Sequence, residues 1–192
     1  SKQFINPGLW LDLGSGTGFL ADALEKRNSH QSVTRIDGSK QMLQKHHSSK
    51  ETKLFNLSLG LPTFKEPPTL IASNFALHWL DNPKERLRDW FNALAPKGWL
   101  AISLPVKGSF PEWHDAAKKA NVNCTAMKFP SHESLIEGIS IDKVKLNKLE
   151  RFIQHAPKVT SLLKPLVNVG GHTTPFSSLT VGQWRKINRF WG

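Results

Sequence analysis

The feature that most restricts what this chain can fold into is Leu9-Trp10-Leu11-Asp12-Leu13, an apolar run that leads directly into Gly14-Ser15-Gly16-Thr17-Gly18. A helix-compatible segment, residues 19–26, follows, so the order reads strand, tight turn, helix. Three glycines in five residues let the main chain adopt positive φ and approach a ligand closely, and the helix behind them offers amides without an intrahelical partner. The spacing G-x-G-x-G is equally compatible with a bare strand-to-helix turn, so it does not decide between the two readings alone.

The next elements extend the pattern. A short apolar strand at residues 33–36 stops at Asp37-Gly38, and residues 39–47 carry Met42 and Leu43 as an apolar edge, which completes a βαβ unit. Asp37 lies nineteen residues after Gly18, where a carboxylate at the end of a second strand can accept both hydroxyls of a ribose. As part of Asp37-Gly38-Ser39 it can also serve only as cap chemistry. Together, turn and acid favour a nucleoside ligand.

Residues 70–72 and 99–104 read as two more buried strands. Between them Asn82 is positioned to cap a helix and Pro83 to take its first place, with Leu87, Trp90, Phe91 and Leu94 at helical spacing until Pro96-Lys97-Gly98. Four strands separated by helices predict an α/β fold, a Rossmann-like doubly wound and mostly parallel sheet with helices on both faces and a crevice at the strand carboxyl ends. Beyond Pro105 the pattern turns helical. Ser131 can cap a helix to Glu137, residues 143–152 are ambiguous, residues 157–167 look amphipathic, and Thr180 with Gln183 forms a capping-box start to a helix reaching Trp191.

Here composition enters. A chain of 192 residues with 39% apolar content suffices for one core, so the expectation is a single domain over 1–192, with substrate-side helical elements within 107–138 and 154–180. No apolar stretch approaches the roughly 20 residues of a membrane-spanning helix, and the first residues lack a signal-peptide run, so a soluble cytoplasmic protein without membrane contact is expected. The single Cys124 excludes an internal disulfide and a multi-thiolate zinc site. His46-His47 lack a third ligand at suitable spacing, so no metal is expected. Against 15 Asp and Glu stand 26 Lys and Arg, a net +11, and such a charge attracts polyanions: nucleic acid, an acidic protein or an acidic small molecule. A solvated basic surface without a cognate anion is the plain alternative.

Leu11-Asp12-Leu13-Gly14-Ser15-Gly16-Thr17-Gly18, followed by Ile36-Asp37-Gly38-Ser39 and Met42-Leu43, resembles the first two motifs of class I S-adenosylmethionine-dependent methyltransferases. The resemblance implies S-adenosylmethionine as cofactor. By position it assigns Asp12, Gly14, Gly16 and Asp37 to the cofactor, with Ser15, Gly18, Gly38, Met42, Asn56, Leu57, Ser73 and Phe75 as further contacts. The family's acidic residue near adenine is replaced here by Asn56-Leu57-Ser58 ahead of Leu61-Pro62.

Ser73-Asn74-Phe75-Ala76-Leu77-His78-Trp79, residues 107–114, Leu163-Lys164 and Val169-Gly170-Gly171-His172-Thr173 resemble the malonyl-acyl-carrier-protein O-methyltransferases of biotin biosynthesis. That resemblance turns residues 139–152 into a further sheet strand. It implies methyl transfer to the free carboxylate of a malonyl group on an acidic acyl carrier protein. Substrate-side candidates are His78, Trp79, Lys107, Lys164 and His172, for each of which a core or solvent-facing role is the plain alternative. An ionised carboxylate needs no general base, so the site needs cations or donors that orient it. The family's N-terminal helices and last antiparallel strand are expected to be lacking. Rival readings are a methyltransferase acting on RNA or another acidic small molecule, and a non-catalytic module that keeps the fold.

Overall fold

The computed structural model describes residues 5–155, 161–162 and 178–191. The chain forms two compact units, one of residues 1–105 and 130–143, the other of 106–129 and 144–192. Among the described residues no helix is long and apolar enough to cross a membrane.

The first unit is built on a parallel sheet. Its elements are β1 (Trp10–Leu13), α1 (Phe19–Arg27), β2 (Thr34–Asp37), α2 (Lys40–Leu43), β3 (Thr52–Leu54), β4 (Leu70–Asn74), α3 (Pro83–Asn92), β5 (Trp99–Ser103) and α5 (His132–Ile136), with α4 (Pro111–Lys119) belonging to the second unit. The strand order is β3-β2-β1-β4-β5 and every pairing is parallel, for example Leu11 beside Thr34 and Ile71. The chain starts in the middle, runs to one edge, and returns past β1 to reach β4. That reversal puts the topological switch point, where α/β sheets bind ligands, between the carboxyl ends of β1 and β4. All four residues of β1 are buried, as expected of a strand covered on both faces. On one side Trp10, Ala21, Val33, Leu70 and Ala72 form a core to which Ile5, Leu20, Leu24 and Trp99 add their edges.

Five strands replace the four read from the sequence. The extra one, β3, is three residues with only Lys53 half-buried, so it carries no apolar run to announce it. Residues 139–152 do not form the strand that the resemblance implied: Ile141–Lys143 is a 3-10 turn, and residues 144–155 are irregular, with Leu146, Leu149 and Phe152 exposed. Lacking a buried partner face, these apolar side chains have nothing to hold them in a ladder. Among the described residues no strand follows β5. Asn82 takes positive φ and makes no side-chain cap, although Pro83 does occupy the first helical position. The predicted helix at 157–167 falls outside the described residues except for 161–162. Ser131 and Thr180 do cap as predicted, the latter with the full reciprocal capping box.

In the second unit α4 packs against the helix Val181–Phe190 through Ala116, Ala117, Ala120 and Ile187. Trp113 completes the contact, its ring 5.8 Å from Trp184 and 6.2 Å from Trp191.

Arg35, in the middle of β2, is the unexpected buried residue. Its guanidinium is fully enclosed and donates to Asp22 at 2.7 Å and to Glu25 at 2.9 and 3.0 Å, and Lys50 adds a 2.6 Å contact to Glu25. The Arg35 hydrogen bond holds the Glu25 carboxyl at about 2, against the opposing effect of burial. The pair ties α1 to β2 and so fixes the helix behind the glycine turn. Arg35→Ala strands Glu25 without its main partner, and urea unfolding is expected to show a loss of roughly 3–5 kcal/mol. A loss under about 1 kcal/mol would place the pair among weak surface bridges.

Candidate functional site

The site begins where β1 ends. Gly14, Gly16 and Gly18 all adopt positive φ, at 71°, 53° and 95°. They do so for different reasons. A Cβ at Gly14 would overlap Cβ of Ala76 in the loop after β4, and a Cβ at Gly18 would meet the His46 ring at 2.7–2.8 Å, whereas a Cβ at Gly16 would meet nothing within 4 Å. Gly14 and Gly18 are thus demanded by packing. Gly16 opens onto space, which is the form a cradle for a bound molecule takes.

Backbone and side chain hold this turn in place. The amides of Gly14 and Ser15 both donate to the carbonyl of Ile36, at 2.8 and 3.0 Å. Asp37 closes the clamp, one carboxylate oxygen accepting from the Gly16 amide at 2.8 Å and the other from the Ser39 amide at 2.8 Å. Four acceptor positions on a carboxylate minus these two leave two for a ligand diol. On the opposite side of the Gly16 peptide, His46 Nε2 lies 2.9 Å from the carbonyl oxygen; a carbonyl only accepts, so Nε2 carries the proton. In the sequence His46 stands out only as half of a histidine pair that lacks a third metal ligand. Its contact with the glycine turn, thirty residues away, leaves no local signature.

The remaining sequence candidates divide sharply. Asp12 is buried at 1% exposure and accepts from the Ala21 amide at 3.1 Å, capping α1 from beneath the turn. Burial raises its carboxyl to about 7. Ser73 is buried and donates to the Leu13 carbonyl at 2.7 Å, binding β4 to β1, and Leu57 is in the core. Asp12 and Ser73 thus brace the end of β1 against α1 and β4. Ser15 is also buried, and its hydroxyl has no hydrogen-bond partner among the described residues. Gly38 and Asn56 are exposed and Met42 is half-buried, all near the ends of β2 and β3; the Asn56 side-chain oxygen accepts from the Ser58 amide at 3.0 Å. Phe75, at positive φ, is 56% exposed beyond β4.

His78 and Trp79 form a 3-10 turn with Leu77 just past β4. The His78 ring lies 5.1 Å from Trp79 and edge-on to Phe75 at 6.4 Å. Burial pushes its imidazole down to about 4, so at neutral pH His78 is uncharged and serves as a polar donor or acceptor, not as a cation. Lys107 is in the second unit and exposed. Lys164 and His172 lie outside the described residues. Among the described residues no group of three His, Cys, Asp or Glu side chains is placed to hold a metal.

Residues 11–100, which contain the turn and its clamp, match the family model of a methyltransferase domain. The trans-aconitate 2-methyltransferase of Mycobacterium tuberculosis (strain ATCC 25177 / H37Ra) is 30% identical over 112 residues, 57% of this chain and 41% of that protein. The malonyl-[acyl-carrier protein] O-methyltransferase of Pseudescherichia vulneris is 25% identical over 193 residues, 96% of this chain and 75% of that protein. The chain thus spans about two fifths of the length of the first of these relatives. Among solved structures, a chain from the complex of the Haloferax volcanii Trm112 methyltransferase activator with a methyltransferase superposes with a TM-score of 0.53 at 19% identity, covering 71% of this chain and 61% of that one. A SAM-dependent methyltransferase of Thermotoga maritima gives a TM-score of 0.52 at 20% identity, covering 69% and 61%. These two likenesses establish the class I methyltransferase fold.

Asp12 and His78 act on stability with opposite signs. The folded state keeps a proton on Asp12 between pH 3.8 and about 7, which the unfolded chain releases, so this group lowers stability as pH rises through that window. His78 stays neutral between about 4 and 6.5 while the unfolded chain binds a proton, so it raises stability over the same range. Asp12→Asn keeps an oxygen for the Ala21 amide and removes one titration. Urea unfolding of this variant at pH 4, 5, 6 and 7 is expected to show stability rising by on the order of 2–3 kcal/mol toward pH 6.5, a rise masked in the parent. Parallel profiles for the two proteins would contradict the assignment.

Proposed function

We propose, from the methyltransferase-domain match over residues 11–100, that this chain carries an S-adenosylmethionine-dependent methyltransferase whose acceptor is a carboxylate, most specifically that of a malonyl group on an acyl carrier protein. The observation that carries the cofactor reading is the Gly16 cradle. Gly16 is gripped through its amide by Asp37 and through its carbonyl by His46, while its Cα faces open space. The donor set fits the cofactor. Asp37 has two acceptor positions for ribose hydroxyls, and the unpartnered Ser15 hydroxyl is a further polar group of the same turn. By the family resemblance, Asn56 would take the place of the acidic residue near adenine. When bound, S-adenosylmethionine supplies an electrophilic methyl group on a sulfonium.

The chain's own residues then have a limited task. A carboxylate is already ionised, so no side chain has to remove a proton. Orientation of the acceptor oxygen and exclusion of water are what remain. Phe75 and Trp79, apolar and partly exposed beyond β4, would shield the reacting atoms, with the neutral His78 ring packed beside them. The cationic partner of the acceptor must come from elsewhere, Lys107, Lys164 and His172 remaining the candidates.

The carrier-protein reading is supported by a malonyl-carrier methyltransferase that aligns along 96% of this chain and by the net +11, which suits an acidic partner. Trans-aconitate, the acceptor in the name of another relative, is also a polycarboxylate, and it defines the second reading: a free small acid. The lone thiol fits a reducing, cytoplasmic setting.

The test is methyl transfer from labelled S-adenosylmethionine by the full-length protein, offered malonyl-acyl carrier protein, trans-aconitate and total RNA in parallel. Base-labile label on the carrier is the expected result. Label on trans-aconitate alone favours the free acid; label on RNA refutes carboxyl methylation, and cofactor binding without transfer to any acceptor favours a non-catalytic module.

A further inference from the structure

The second unit contains a solvent-open pocket of about 240 Å³ between the turn that leads into α4 and residues 127–129. We propose that this pocket binds the carboxylate end of a short acyl group, a proposal that rests on the carboxylate-acceptor reading above. Lys107, Ser109 and His114 line it from one segment and Met127, Lys128 and Phe129 from the other, with no Asp or Glu among the lining residues.

Lys107 and Lys128, both exposed, have no ion-pair partner among the described residues, so two uncompensated lysines line one pocket. Two uncompensated cations at one site attract an anion and repel cationic ligands. The Ser109 hydroxyl adds a donor. Cys124 Sγ lies 3.3 Å from His114 Nδ1; with the thiol donating there, the ring proton rests on Nε2 and the imidazole keeps an N–H to offer.

Met127 and Phe129 make the other wall apolar, as an acyl chain behind a charged head requires. Phe129 is held by Phe110, the ring centroids 6.0 Å apart, which ties the two lining segments together. Gly108, at φ +96°, has nothing within 4 Å of where a Cβ would project, so the backbone there leaves the space open. Size narrows the ligand. At about 240 Å³ the cavity falls below the roughly 300–1,000 Å³ of sites for drug-sized molecules, which suits a carboxylate with a few carbons and not a nucleotide.

The experiment is an amide-resolved NMR titration of the full chain with malonate, dimethyl malonate, inorganic phosphate and, separately, malonyl-acyl carrier protein. Malonate is expected to shift the amides of residues 107–109, 114 and 127–129 saturably, and dimethyl malonate to shift none. Lys107→Gln with Lys128→Gln should weaken malonate at least tenfold and leave S-adenosylmethionine binding and the circular dichroism spectrum unchanged. Tighter binding of the malonyl carrier than of malonate assigns the carboxylate to a carrier-borne group, and equal binding to a free acid; both uphold the site. Shifts elsewhere, insensitivity to the double substitution, or phosphate binding more tightly than malonate overturns it. Malonate bound here by a chain that takes no S-adenosylmethionine would instead overturn the methyltransferase reading and leave this pocket standing.

Discussion

The hydrogen bond from the Gly16 amide to the Asp37 carboxylate is the interaction on which the account turns. It joins the first strand's turn to the end of the second strand, and it exists only because β1 and β2 are parallel neighbours whose carboxyl ends lie side by side. The same carboxylate holds the Ser39 amide at the start of α2, so one side chain sets the position of two elements. A charged acceptor for backbone amides makes a stronger bond than a neutral one. What it fixes is an open concave backbone at Gly16, the one glycine of the three whose missing Cβ faces empty space.

Behind that cradle lies a second set of polar groups that never reach its surface. Asp12 caps α1 from below, Ser73 fastens β4 to β1, and Arg35 with Asp22, Glu25 and Lys50 binds α1 to β2. Each sits where two elements meet and each bonds to a partner in another element, although Arg35 Nε is left without one among the described residues. A protein interior tolerates such groups when they are paired, and their removal leaves the partner unpaired at a cost of several kcal/mol for a charge. The turn is therefore held by bonds distributed over several elements.

Much of the first unit was legible in the sequence because its signals are local. The apolar run into the glycine turn, the acid after β2, and the proline that opens α3 each declare their element within a few residues. What escaped detection was non-local or weak. The strand β3 has three residues and no apolar alternation, and Arg35 looks like an intrusion in an apolar strand until α1 supplies its carboxylates. His46 acquires meaning only once the fold brings it to Gly16, and burial, which makes His78 neutral, is invisible in a string of letters. The class I methyltransferase resemblance marks the glycine turn and Asp37, whereas the strand that the malonyl-carrier resemblance implied at residues 139–152 does not form, since those residues have no buried face. Nor does the sequence show that Asp12 and Ser73 are buried and bonded to the Ala21 amide and the Leu13 carbonyl.

The most direct test of the central claim is calorimetric titration of the chain with S-adenosylmethionine, set beside Asp37→Ala. The account predicts saturable binding at one site, weakened by roughly ten- to a hundredfold in the variant, as the loss of hydrogen bonds to a charged group requires. Equal affinity in the two proteins, or a folded parent that takes up no cofactor, would contradict the assignment of the Gly16 cradle.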